Sequence, residues 1–317
     1  MEKKLAPKFV KAEVKKFPHK GRAGFLARKK LAEEGALKNQ IPRLRDDKGE
    51  VRAEDKSKTG WGKVAGWYHD TVQDSGSYQR DLIMPNLLRL LGIKPGQKIL
   101  DLGCGEGLFT RRFAKAGAEV TAIDIAPELV LIAKREAAAE SEHYKFQPRF
   151  GVSDAASIPM VLDATQDIVV INLALQNIEN VAGVFKECSR VLKSGGKLFM
   201  VLNHPAFRIP KASEWGWTAD NAVQYRRVDK YMSELREKID MKPGDGSRVV
   251  ARDDKHTISF HRPMQYFVKL LGKAGLAIVN MEEWVGNRKS QPGPRALAED
   301  KARAEIPLFM MLEIKKL

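Results

Sequence analysis

Lys98-Ile99-Leu100-Asp101-Leu102-Gly103-Cys104-Gly105-Glu106-Gly107-Leu108-Phe109 is a short apolar run that ends in an acid, crosses three alternating glycines and enters a helical pattern. Glycine permits positive φ and brings a backbone close to a ligand, because no Cβ intrudes. The helix that follows turns its N-terminal amides and the positive end of its dipole toward the same loop. The arrangement predicts a ligand cradle at the carboxyl end of a strand. A dinucleotide fingerprint, G-x-G-x-x-G, would need a third glycine at 108, where the chain has Leu108. The spacing is instead Asp-x-Gly-x-Gly-x-Gly, with Asp101 two residues before Gly103. An anion there repels pyrophosphate and suits a ligand that carries an ammonium group.

Further strand ends follow in order. Val120-Thr121-Ala122-Ile123-Asp124 reads as a second buried strand closing on an acid. A carboxylate about 20 residues after the glycines can accept hydrogen bonds from both hydroxyls of a ribose. The alternative is a helix N-cap ahead of Pro127, a position that Asp also favours. Phe150-Gly151-Val152-Ser153-Asp154-Ala155 reads as a third strand end. Asp167 to Asn172 is a fourth apolar run, leading into Leu173-Ala174-Leu175-Gln176. Val191 to Val201, with Ser194-Gly195-Gly196 inside it, reads as a helix end, a glycine turn and a fifth strand.

In this order and spacing the chain resembles the class I S-adenosylmethionine-dependent methyltransferases. The resemblance implies an α/β fold, a seven-stranded Rossmann-like sheet whose last strand is antiparallel at the far side. It implies S-adenosylmethionine as cofactor, with S-adenosylhomocysteine as product. It places Asp101, Gly103, Cys104, Gly105 and Gly107 in the first cofactor loop. Asp124 and Ile125 fall at the ribose, Asp154 at the adenine amino group with Ala155 beside it, and Asn172 and Leu173 after strand four. The family's L-K-P-G-G turn is kept except that Ser194 replaces proline. Leu276 to Trp284 and Ile306 to Ile314 then read as strands six and seven.

A second resemblance lies after strand five. Asn203-His204-Pro205-Ala206-Phe207 precedes about 50 polar and aromatic residues that read as short strands. Thr257-Ile258-Ser259-Phe260-His261-Arg262-Pro263-Met264 returns the chain to a helix. These segments resemble the inserted lid of the type-11 group, the ubiquinone- and menaquinone-biosynthesis-like methyltransferases, with Met264 in place of a leucine. The domain boundaries expected are a basic extension over 1–60 and a methyltransferase domain over 61–317. Within the latter, 61–95 forms an N-terminal cap and 205–263 the lid insertion.

Methyl transfer from a sulfonium is an in-line displacement that needs the reacting groups held collinear in a dry site. A general base is required only for an acceptor that arrives protonated. His204, at the end of strand five, stands where such a base would help; the other reading is a ring that bonds backbone at a proline turn. Tyr68 and Tyr78 are candidates for substrate or cofactor contact, a tyrosine ring face suiting a cation, against simple packing of the cap onto the core. Gln176, with Asn172, could orient a polar group of the substrate. His261 is a further substrate candidate, and Arg262 either clamps a carboxylate or pairs internally. The Asn-Pro-Pro-Tyr signature of methyltransferases acting on amide or base nitrogens is missing after strand four.

Composition sets the remaining bounds. The 317 residues are 43% hydrophobic, enough for one sizeable α/β core with additions. No run of about 18 apolar residues predicts a membrane span, and Met1 to Pro7 carries no apolar signal region. The two cysteines, Cys104 and Cys188, have no metal-ligand spacing, so neither a metal nor a disulfide is expected and a reducing cytoplasm is. Residues 1–60 hold 18 Lys and Arg against 9 Asp and Glu, a net +9 of the chain's +15. Gly24 to Leu37 has the spacing of an amphipathic helix. Such a tail binds nucleic acid by counterion release, or it is a solvated extension that binds nothing specific. Two functions follow: a methyltransferase for a small-molecule acceptor, or an RNA-directed or ribosome-associated protein that uses the basic tail.

Overall fold

Strand β1 (Lys98–Leu102) is buried on both faces after its first residue, as a run of Ile and Leu broken only by Asp101 should be in a central parallel strand. A computed structural model describes residues 60–73, 76–241 and 256–317. The basic extension, its Gly24–Leu37 helix and part of the lid therefore lie outside the described residues.

Around β1 assemble β2 (Glu119–Asp124), β3 (Arg149–Val152), β4 (Gln166–Asn172) and β5 (Leu192–Asn203). Two later strands, β10 (Leu276–Trp284) and β11 (Phe309–Lys316), complete a seven-stranded sheet of order β10-β11-β5-β4-β1-β2-β3. The first five strands are parallel, and β11 runs antiparallel to β5 and to β10, between which it is inserted. This is the expected mixed Rossmann-like sheet, with the last strand second from the edge.

Period-2 alternation splits the core into two layers. Leu100, Leu102, Val169 and Ile171 face helices α5 (Val181–Val191) and α6 (Met264–Lys273), packing on Phe185, Cys188 and Phe267. Ile99, Val120 and Val170 face the other way, onto Leu87 of α2 (Met84–Leu91) and Phe113 of α3 (Leu108–Lys115). Helices α1 (Ala65–Gln73), α4 (Pro127–Ala139) and α7 (Ala296–Glu305) complete the described helices.

The chain order reverses between β1 and β4: from β1 it proceeds to β2 and β3, and from β4 to β5 on the other side. Such a switch point opens a crevice at the carboxyl ends of the two strands, where open α/β sheets bind ligands. Between β5 and α6 the chain leaves the sheet as a hairpin, β6 (Ser213–Trp217) with β7 (Gln224–Val228), and an antiparallel pair, β8 (Leu235–Asp240) with β9 (His256–His261). The strand reading of Thr257 to Phe260 agrees with this register.

Candidate functional site: the loop after the first strand and the cleft beneath the lid

The loop between β1 and α3 is built on three left-handed glycines, Gly103 (φ 73), Gly105 (φ 56) and Gly107 (φ 78). Gly103 has a second reason to be glycine, since a Cβ there would collide with the Cβ of Ala174. The loop binds itself to β2: Gly103 N and Cys104 N donate to the Ile123 carbonyl (2.7 and 3.1 Å), and Gly105 N donates to Asp124 Oδ2 (2.8 Å). Gly107 N donates to the Cys104 carbonyl (3.0 Å). These four amides are committed within the fold, holding the loop against β2 and closing its own turn.

The second oxygen of Asp124 accepts from Ala126 N (2.9 Å). The N-cap of α4 is Ala126, with Pro127 in the first turn, so Asp124 is no cap in the strict sense. Its carboxylate fastens the glycine loop to the β2–α4 turn. Burial raises its pKa even though both backbone hydrogen bonds favour the ionised form.

A cleft of about 370 Å³, partly open to solvent, lies over the loop and is lined by Asp101, Cys104, Glu106, Tyr68 and Asn172 among others. Asp101 is 2% exposed and accepts from Thr110 Oγ1 (2.5 Å). Burial pushes its carboxyl up to about 7, with the Asp124 charge adding to the rise and Thr110 opposing it. The Cys104 thiol is held well above its ordinary value by burial and by the charges of Asp101 and Asp124. Tyr68 stands beside Gly105, its ring edge-on to Trp61 at 5.0 Å. Burial, then the carboxylates of Glu106 and Asp124, raise its pKa, so it is a neutral phenol. The cleft is thus a buried group of acids whose ionised forms favour a cation. Asn172 Oδ1 is buried with no hydrogen-bond partner among the described residues.

Three further expectations meet the fold around this cleft. Ile125 is 44% exposed at the β2 end. Asp154 is exposed and accepts from Ala156 N (2.8 Å), with Ala155 buried behind it. Leu173 takes a left-handed conformation (φ 51) that L residues other than Gly, Asn and Asp rarely adopt. Its amide donates to Val201 O (2.9 Å) and its carbonyl accepts from Gln176 Nε2 (2.6 Å), so the strained residue is held from both sides.

Sequence reasoning missed the network under the loop. Glu106 is 1% exposed, accepts from His69 Nδ1 (2.9 Å) and pairs with Arg111 Nη2 (3.5 Å). Arg111 Nη1 also donates to the Glu106 carbonyl (2.8 Å). The signal was present as an acid and an arginine five residues apart across a helix start, but nothing in the sequence announced His69.

His204 and Tyr78 both lie outside the lining of the acidic cleft. His204 is 5% exposed; its Nδ1 accepts from Ala206 N (3.2 Å) and its Nε2 meets Glu283 Oε1 at 2.6 Å. Both ring nitrogens are therefore engaged, and the ring is a structural tie at the Pro205 turn. Tyr78 lies away from the acidic cleft. It packs edge-on against Phe309 (5.8 Å) with the Arg288 guanidinium 4.2 Å above it, so the packing reading holds.

Gln176, His261 and Arg262 come together elsewhere, in a second cleft of about 340 Å³ between the end of β5 and lid strand β9. His261 is buried and directs Nε2 to the Tyr231 carbonyl (2.8 Å). Arg262 Nη2 donates to the Glu179 carbonyl (2.9 Å).

Residues 100–200 match a family model described as a methyltransferase domain, type 11. The match covers about a third of the chain and takes in β1 to β5 up to Met200. The chain is 35% identical over 105 residues to the ubiquinone biosynthesis O-methyltransferase of Xanthomonas oryzae, an alignment covering 33% of this chain and 42% of that protein. It is 33% identical over 118 residues to the demethylmenaquinone methyltransferase of Tropheryma whipplei, covering 37% of this chain and 46% of the relative. The methyltransferase domain thus spans less than half the length of these curated relatives. Beyond it, the fold is that of a solved S-adenosylmethionine-dependent methyltransferase from Mesorhizobium loti (TM-score 0.58, 21% identity, 75% of this chain and 100% of that one). Among the described residues no helix is long and apolar enough to cross a membrane, and no three ligating side chains gather around a metal position.

Proposed function

We propose that the chain transfers a methyl group from S-adenosylmethionine to a small-molecule acceptor. The observation that carries this reading is the acidic cleft itself. A cationic ligand is favoured where the buried Asp101 lines the cleft and Asp124 stands behind its left-handed glycine loop, the nearby Glu106 being already paired with Arg111. S-adenosylmethionine carries an ammonium group, a sulfonium and a ribose, and it supplies an activated methyl for in-line displacement when bound.

The chain's own residues have defined tasks in this reading. Asp101 takes the ammonium group and Asp124 the ribose hydroxyls, while keeping the loop closed through Gly105 N. The unpartnered Asn172 Oδ1 accepts a donor from the ligand. Tyr68, a neutral phenol, covers the loop and excludes water. Ile125, Asp154 and Ala155 border the adenine side. His204 holds the β5 turn in place and moves no proton. The curated relatives named as quinone-pathway methyltransferases support a small organic acceptor.

Isothermal titration with S-adenosylhomocysteine, followed by a turnover screen over phenols, amines and carboxylates, tests the reading. Micromolar binding with turnover of one acceptor class is expected; no binding to the full chain would sink it.

The charge of residues 1–60 supports one accessory role, contact with nucleic acid. Salt-dependent RNA binding that vanishes on deleting residues 1–58, with small-molecule turnover intact, is the result expected. A truncation that binds RNA as the full chain does would remove that role.

A further inference from the structure

The cleft under β9 has a chemistry opposite to that of the acidic one. Arg262 is 5% exposed, and its Nη1 is buried with no hydrogen-bond partner among the described residues. Its plane is fixed by the Phe260 ring (4.8 Å), the Tyr266 ring (5.2 Å) and the Nη2 bond to Glu179 O. Glu179 and Glu234 act on it through space, but both side chains are exposed and neither reaches ion-pair distance. Arg208 lines the same cleft, rests over the Phe309 ring (4.9 Å) and forms no ion pair among the described residues. Arg226, bonded to the Phe207 carbonyl and to Ser213 Oγ, adds a second positive charge beside Arg208.

Burying a cation without a counter-charge is unfavourable by several kcal/mol. A fold that does so at Arg262, with the half-buried Arg208 in the same cleft, gains when an anion arrives, and the planar fork of arginine matches carboxylate and phosphate oxygens. Gln176 supplies the complement. Its Nε2 is bound to Leu173 O, which fixes the amide orientation, and leaves Oε1 as a buried acceptor with no donor. The same short segment after β4 carries Asn172 into the acidic cleft and Gln176 into this one.

We propose that this second cleft anchors the methyl acceptor through an anionic group, a carboxylate or a phosphate, held by Arg262 and Arg208, with a hydrogen-bond donor of the same molecule facing Gln176. The inference deepens the methyltransferase reading and rests on it for the word acceptor. The anion site itself does not depend on the cofactor.

The test uses the full chain, titrated calorimetrically with 3-hydroxybenzoate, its neutral methyl ester and inorganic phosphate, each with and without S-adenosylhomocysteine. One of the two anions is expected to bind and the ester is not. The R262Q and R208Q substitutions should each weaken that anion by about tenfold or more, the scale of one charge-assisted hydrogen bond. Affinity for S-adenosylhomocysteine should stay within about twofold, which also reports that each variant is folded. Binding of 3-hydroxybenzoate alone assigns a carboxylate, and of phosphate alone a phosphate group. Failure of both anions to bind the wild-type chain, equal binding of the ester, or undiminished affinity in both variants overturns the proposal. Loss of S-adenosylhomocysteine binding by the wild-type chain overturns the methyltransferase reading instead, while the anion titrations still decide this one.

Discussion

The two clefts differ in charge and in how the chain builds them. The acidic cleft is assembled mostly from one contiguous stretch, Asp101 to Glu106, locked to the neighbouring strand by Asp124. The arginine cleft gathers Gln176, Arg208 and Arg262 from three distant segments. The glycine loop is held in place by its own amide bonds to Ile123 and Asp124 on the adjoining strand. The arginine cleft depends on the lid lying as it does against the sheet. The contrast assigns a cationic ligand to the first and an anionic one to the second, with Leu173 strained between them.

The hardest test of the contrast is Gly103→Val. A left-handed β-branched residue costs about 1–3 kcal/mol, and overpacking against Ala174 adds a similar amount. Thermal unfolding should show a loss of about 2–5 kcal/mol, and calorimetry no detectable S-adenosylhomocysteine binding. Anion binding under β9 should outlast this change if the clefts are separately built. Asp124→Asn comes next. One amide oxygen can replace one carboxylate oxygen, but the second tie and the charge are lost. About 1.5–3 kcal/mol of nucleoside affinity should disappear, a ten- to hundredfold change. Unaltered affinity would mean that Asp124 only closes the loop.

The same contrast explains what the sequence revealed. The glycine spacing, the acid two residues before Gly103 and the acid ending β2 are local features, and local features survive as motifs. The seven-stranded sheet followed, since alternating apolar strands and helices admit few topologies. Arg262 was visible as a candidate beside His261, yet its unpaired nitrogen was not, because pairing is decided by Glu179, Phe260 and Tyr266 across the fold. The partner of His204 was hidden for the same reason: Glu283 is 79 residues away in the chain and meets its ring nitrogen. Leu173 gave no signal at all, for leucine has no preference for positive φ and only the Val201 and Gln176 bonds hold it there.

Asp101 gives a smaller, pH-dependent effect. Its folded-state pKa is raised to about 7, so the stability it contributes is complete below its ordinary value of 3.8 and is lost as pH rises through about 7. A bound cation reverses the preference by favouring the ionised form. Affinity for S-adenosylhomocysteine, which keeps the ammonium group, should therefore rise by about tenfold between pH 6 and pH 8, with proton release seen as a dependence of the binding heat on buffer. Asp101→Asn should flatten both profiles and make the free protein more stable at pH 8. An affinity independent of pH in the wild-type chain would place the ammonium group elsewhere.

The smallest effect separates structure from chemistry at His204. Burial lowers its pKa below the ordinary 6.5 in spite of Glu283, so the native ring resists a proton that the unfolded chain accepts. The sign is opposite to that of Asp101: the contribution is present above about 6.5 and is lost as pH falls through and below that value. His204→Gln keeps one hydrogen bond of the two and should destabilise by about 0.5–1.5 kcal/mol at pH 8 by urea denaturation. The wild-type loss of stability between pH 6.5 and pH 5 should be shallower in this variant. Turnover per folded molecule should remain within about twofold, because a ring whose nitrogens are held by Ala206 and Glu283 has none left for an acceptor proton. A tenfold fall in kcat with S-adenosylhomocysteine affinity and folding intact would return His204 to the chemistry, and would require Glu283 to release the ring when the acceptor binds.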